Sequence, residues 1–227
     1  MPDFAALFHD ISIYIIPVIL AVTLHEAAHA YAANWLGDDT AYRLGRTSLN
    51  PLVHIDPFGT VLMPLGMFLL SGGNFFFGYA KPVPVQTSRL RNPAADMPIV
   101  ALAGPMANAV MALLWAVFGV LVAVFQAPEQ AMFAKIAYAG VLTNLLMFAF
   151  NLLPILPLDG GRILMGLLPA SLARHFEPLE RYGMFIILFL VFSGNLIGTY
   201  WIGPITSAGF HMLGSLSLAL KTLLGAA

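Results

Sequence analysis

Pro98 to Gln126 is apolar almost without a break and carries no charged side chain. A bilayer's hydrocarbon core is ~30 Å thick, so a spanning helix needs ~20 mostly apolar residues. Three further stretches qualify: Ile11 to Leu36, Ala131 to Leu153, and Tyr182 to Ile205 with Tyr200 and Trp201 as interface anchors. Ala208 to Leu224 is a weaker fifth, holding His211 and Lys221. Composition agrees. Of 227 residues 9% are charged and 59% hydrophobic, where a soluble domain has about 25% and 45–50%. That excludes a disordered chain and argues against a soluble enzyme. Ten basic against eleven acidic residues leave no basic footprint for nucleic acid. With no cysteine, a metal has only His, Asp and Glu to bind.

The spans predict an all-α polytopic membrane protein, a bundle of about five to six transmembrane helices in one domain over residues 1–227. Met1 to Asp10 has no Lys or Arg, so the first apolar segment is expected to be retained rather than cleaved as a signal. Phe58 to Ser71 is apolar but short and interrupted by Gly59, Pro64 and Gly66. It fits a re-entrant or interfacial element better than a crossing. If it does not cross, eight of the ten basic residues share one face, among them Arg43, Arg46, Lys81, Arg89 and Arg162. That face is then cytoplasmic and the N-terminus lies outside. Phe75 to Val85 reads as extended chain because Pro82 and Pro84 favour β or polyproline geometry before them. It forms a small cytoplasmic-side β element, with Arg43 to Leu49 as a partner strand.

Two acids stand apart from the rest. Glu26 lies inside the first apolar segment, and Asp159 follows the third in a run broken by proline and glycine. Ionisable groups at membrane depth are costly and mark function by default. Glu26 sits in His25-Glu26-Ala27-Ala28-His29, an H-E-x-x-H motif. Residues four apart share a helix face, so His25 and His29 can ligate one zinc with Glu26 as general base. A catalytic zinc takes three protein ligands and leaves the fourth position open. Asp159 is the best third ligand, since Pro154, Pro157, Gly160 and Gly161 break the helix around it and let its carboxylate turn sideways. Ligand types alone also suit iron, because two His and a carboxylate are shared with non-haem sites.

With HEAAH at 25–29 and Asn151-Leu-Leu-Pro-Ile-Leu-Pro-Leu-Asp-Gly-Gly-Arg162, the chain resembles the site-2 protease family of intramembrane zinc metalloproteases. Leu102 to Asn108 resembles that family's Gly-Pro element at the start of the intervening helix, and Gly78-Tyr79-Ala80-Lys81 its cytoplasmic-side β element. The likeness runs over nearly the whole chain, in order. It is to the compact branch, without the PDZ or CBS domains of some relatives. It implies one Zn2+ per chain on His25, His29 and Asp159, and Glu26 as base. It implies Asn151 as an amide that holds substrate or stabilises the transition state, with Gly78, Tyr79 and Lys81 on the strand that receives substrate. It further implies hydrolysis of a peptide bond in or near a transmembrane segment of a membrane-protein substrate. The expected setting is a prokaryotic cytoplasmic membrane, with the active site open to the cytoplasm.

Plainer readings exist for each residue. Asn108 and Asn144 read as interhelical hydrogen-bond partners, Gly104-Pro105 as a helix start, and Lys81 as a snorkelling interface residue. His54 and Asp56 read as a polar turn. Asn151 could satisfy backbone beside Pro154, and the His–Glu–Asp group could be a polar cluster without catalysis. A metal or proton transporter would also place His and carboxylates at depth, but no internal repeat is visible. A non-catalytic scaffold that binds transmembrane helices is a third class.

Overall fold

A computed structural model describes residues 4–54, 56, 59, 62, 81–125, 129–192 and 196–225. Three long helices carry the architecture: α1 (Phe4–Trp35), then, after a short α2 (Thr40–Arg43), α3 (Pro93–Phe125) and α4 (Gln130–Asn151). Three stretches among the described residues are long and apolar enough to cross a membrane: Ile11–Trp35, Pro93–Phe125 and Gln130–Asn151. The chain continues as α5 (Asp159–Leu167), α6 (Ala170–Phe176), α7 (Glu180–Phe192) and α8 (Gly203–Leu223).

Helices α1, α3 and α4 pack on one another, and α3 also backs α5. The contacts are built from small side chains. Ala21, Ala27, Ala30 and Ala33 of α1 are buried, as are Ala101 and Ala112 of α3 and Ala137, Ala139 and Ala149 of α4. In lipid, helices gain little hydrophobic drive toward each other, so close backbone approach and interhelical hydrogen bonds do the holding. Gly140 illustrates this, since a Cβ there would overlap the Trp115 indole. Away from the contacts, Ile16, Val110, Leu114 and Phe189 are exposed, as expected where the solvent is hydrocarbon. From the middle of α8, Leu213 and Phe210 join Ala112, Val141 and Leu145 in an apolar cluster.

Several boundaries differ from the sequence expectation. Gly104-Pro105 lies well inside α3, which already begins at Pro93. Of the fourth expected span, residues 182–192 lie in α7, and from 196 onward the chain runs through a π-helical turn, Gly198–Ile202, straight into α8. Pro204 follows that turn and has no N–H to give an α-helical bond. The Gly203 N–H reaches five residues back to the Gly198 carbonyl. Tyr200 and Trp201 therefore sit within a helix start, and the Trp201 indole donates to the Ala149 carbonyl of α4 at 2.8 Å.

There is no strand among the described residues. The expected partner strand Arg43 to Leu49 begins with the end of α2 and then forms turns. Helix α1 stops at Gly37, whose φ of 111° is open to glycine and strained for other residues, and the buried Asp38 carboxylate then accepts from the Thr40 N–H. Residues 81–86 are extended without ladder pairing. Pro82 and Pro84 lack the donors a ladder requires, and the N–H groups around them go elsewhere: Lys81 to the His54 carbonyl at 3.0 Å and Gln86 to Asp38 at 2.6 Å. The rest of the expected β element, and nearly all of Phe58 to Ser71, lie outside the described residues.

Candidate metal centre

His25 and His29 are one turn apart on the face of α1 that meets α3, and both are buried. Their Nε2 atoms stand 3.1 Å apart. Each Nδ1 faces α3: His25 Nδ1 lies 2.7 Å from Asn108 Oδ1, and His29 Nδ1 lies 2.7 Å from the Val100 carbonyl oxygen. A carbonyl only accepts, so His29 carries its proton on Nδ1 and presents a lone pair at Nε2. The Val100 carbonyl lies on α3, so this bond ties the His29 ring across the contact between α1 and α3.

Asp159 arrives from the other side. It opens α5 after a loop of residues 152–158, and the buried Gly160 and Gly161 press the first turn onto that loop. A Cβ on either would overlap the backbone of Leu152 to Leu156. Asp159 Oδ2 thereby stands 3.2 Å from His25 Nε2 and 3.4 Å from His29 Nε2. It is buried and receives no hydrogen bond, as expected if both imidazoles hold their protons on Nδ1. Two imidazole lone pairs and a carboxylate oxygen thus converge on one point, a donor set whose mutual repulsion a cation offsets. Ligand atoms around a tetrahedral zinc, with bonds of ~2.0–2.1 Å, stand about 3.3 Å apart. The observed triangle of 3.1, 3.2 and 3.4 Å fits such an ion, and these three residues are the described group able to hold one.

Glu26 borders the same cavity as these three residues. Its Oε2 accepts the Val83 N–H at 2.9 Å. Two cavities meet here. One of about 680 Å³ is mostly apolar, runs between α1, α4 and α7 past Ile11, Val18, Leu146 and Ile187, and ends at His25 and Glu26. The other, about 430 Å³, is bordered by Pro82, Val83, Asp159 and Arg162. Asn151 lines both, its amide donating to the Met147 carbonyl at 3.0 Å.

Sequence reasoning thus named the residues that the fold brings together: His25, Glu26, His29, Asp159 and Asn151. Lys81 is exposed and borders neither cavity; among the described residues its backbone N–H bonds the His54 carbonyl and its ammonium meets no partner. Gly78 and Tyr79 lie outside the described residues. His54 is buried with Nε2 2.8 Å from the Ser48 carbonyl oxygen, and Asp56 accepts from the Gly59 N–H at 2.6 Å. Three contributors were not assigned a part in the site from sequence. The Val83 N–H and the Val100 carbonyl are backbone and leave no side-chain signal. Gly104 has a packing role that only contact reveals, since a Cβ there would overlap both imidazoles.

Comparison with known proteins gives the family. The model of peptidase family M50 matches residues 120–194. A Bacillus subtilis (strain 168) protein named "Putative zinc metalloprotease YwhC" is 37% identical over 199 residues, 86% of each chain. This chain belongs to peptidase family M50. That is the site-2 protease family. Two further M50 relatives, both named "Putative zinc metalloprotease Rip2", come from mycobacteria. The Mycolicibacterium smegmatis protein is 34% identical over 78% of this chain and 66% of its own. The Mycobacterium tuberculosis (strain H37Rv) protein is 27% identical over 86% and 74%. No solved structure matches this M50 chain.

Proposed function

We propose that this M50 member is an intramembrane zinc metalloprotease that hydrolyses a peptide bond in or near a transmembrane segment of another membrane protein. The observation that carries the reading is the triangle of His25, His29 and Asp159 ligand atoms, beside Glu26, at the inner end of an apolar cavity. His25, His29 and Asp159 would hold one zinc. When bound, it lowers the pKa of a coordinated water toward ~7 and polarises the scissile carbonyl. Glu26 takes the proton of the attacking water and passes it to the leaving amine.

The two cavities divide the labour. The larger one, walled by α1, α4 and α7, admits an apolar segment from the bilayer. The smaller one, with Arg162 at its border, admits water. A helix hides its carbonyls in hydrogen bonds, so the substrate must unwind before cleavage. Backbone on the 78–85 stretch, including Gly78 and Tyr79, would hold it extended by strand addition. Asn151 stands where both cavities meet and would bond the substrate chain there. By the positive-inside rule, the basic residues at 43–46, 81–91 and 162 support a reading in which the side of the smaller cavity faces the cytoplasm of a prokaryotic cell.

The test is cleavage of single-span peptides in liposomes by wild type and by Glu26→Gln, with zinc measured in both. Equal zinc, with cleavage by wild type alone, is the expected result. Wild-type protein purified without chelator and holding no zinc would overturn it, as would cleavage by Glu26→Gln at the wild-type rate.

A further inference from the structure

His29 finds its Nδ1 acceptor in a backbone carbonyl, which cannot be anything but an acceptor. His25 does not. Its Nδ1 meets Asn108, whose amide offers an oxygen one way round and an NH2 the other. The choice matters for the metal. With Oδ1 toward the ring, His25 is protonated on Nδ1 and Nε2 is free to bind an ion. With the NH2 toward the ring, Nδ1 must accept, the proton moves to Nε2, and the ligand position is filled by a hydrogen bond to Asp159.

The surroundings decide which way the amide faces. Asn108 Nδ2 donates to Asn144 Oδ1 at 3.0 Å and lies 3.3 Å from the Ala21 carbonyl oxygen. Asn144 Nδ2 in turn donates to the Gly140 carbonyl at 2.9 Å. Both asparagines are fully buried, so no water can substitute for a lost partner. The run ends on carbonyls, and these fix its polarity. Turning Asn144 over would set its oxygen against the Gly140 oxygen. Turning Asn108 over would set its oxygen against both Ala21 O and Asn144 Oδ1.

We infer that Asn108 and Asn144 form a directional amide relay across α3 and α4 that holds His25 in its metal-binding tautomer. Both are positioning residues, and Asn144 acts without touching any ligand. The inference rests on the zinc reading above. It assigns α4 a part in metal binding that its own ligand-free composition would not suggest.

The test is zinc affinity of the detergent-solubilised full chain, measured by competition with a chromophoric chelator, with Co2+ substituted in parallel to read ligand geometry from its visible absorption. Asn108→Leu is expected to weaken zinc by about 10–100-fold, the usual effect of losing an outer partner of a ligating imidazole. Asn108→Asp, kept as the neutral acid by its full burial, retains an acceptor facing Nδ1–H and an O–H facing Asn144, and is expected to bind zinc more tightly than Asn108→Leu and to keep the wild-type Co2+ spectrum. Asn144→Leu should weaken zinc less than Asn108→Leu, because Ala21 still orients the Asn108 amide. Asn144→Asp, as the buried neutral acid, keeps an acceptor toward Asn108 and an O–H toward Gly140, and should weaken zinc less than Asn144→Leu. Equal affinities for the Leu and Asp variants at either position would overturn the relay and leave a purely structural role. If Asn108→Leu fails to fold, the Asn144 pair decides alone. Wild type without zinc affinity would instead count against the zinc reading itself.

Discussion

Replacing Gly104 by alanine should cost this protein its metal while leaving its helices in place. On helix propensity alone alanine is favoured by roughly 1 kcal/mol. The new Cβ, however, would lie 2.6 Å from His29 Cε1 and 2.7 Å from His25 Cε1, where carbon atoms prefer about 3.5–4.0 Å. Both rings must withdraw by ~1 Å. They cannot do so freely, because Asn108 and the Val100 carbonyl, on the same helix as Gly104, hold their Nδ1 atoms at 2.7 Å. A misplacement of ~1 Å at a reacting centre costs on the order of 10²-fold in rate, or about 2.7 kcal/mol of barrier. Overpacking of this kind costs ~1–3 kcal/mol in stability, of which the helix propensity offsets about 1 kcal/mol. The assay pairs zinc competition with peptide cleavage in liposomes, and follows helix content by circular dichroism. Gly104→Ala is expected to keep its helix content, bind zinc at least tenfold more weakly and cleave on the order of 10²-fold more slowly. Wild-type zinc affinity together with wild-type cleavage would refute the reasoning, because it would mean that α3 does not press on the histidine pair.

Gly214, by contrast, has open space around its Cβ position, so Gly214→Ala should raise thermal stability by up to about 1 kcal/mol without altering zinc affinity; a loss of stability would show a contact that α8 makes in the bilayer. At the end of α1, the hydrogen bond from Arg43, with Arg89 beside it, holds the Asp39 carboxyl below its ordinary value of 3.8. A depressed carboxyl stabilises the fold above its unfolded pKa and loses that contribution as pH falls through the folded one. Hydrogen-exchange protection of the 39–46 loop should therefore hold from pH 7 to about 5 and decline below about 4, with Arg43→Gln flattening the decline; an unchanged acid profile in that variant would remove Asp39 as its cause.

The amino-acid sequence by itself carried the chemistry of the candidate site. H-E-x-x-H sets two imidazoles one turn apart on any helix, and α1 needs no tertiary help to do so. The proline and glycine pattern of residues 151–162 likewise announced broken backbone around an acid at depth. The long helices were readable because hydrocarbon demands ~20 apolar residues in a row, and α1, α3 and α4 each supply them. What the tertiary structure decided is everything that depends on contact between segments remote in sequence. Asp159 could be recognised as the other acid at depth, but the distance of 3.2 Å to His25 Nε2 comes from Gly160 and Gly161 lying against the preceding loop. Gly104 read as a helix start because a Gly-Pro pair usually is one; inside α3 its use is to give room to two rings on another helix. Asn108 was legible as polar, not as directional. An amide has a donor and an acceptor side, and which one faces His25 is set by the carbonyls of Ala21 and Gly140 on two other helices. The Val83 N–H on Glu26 belongs to the same class. Backbone groups are identical at every residue, so no sequence can say which of them will be the one that meets the base.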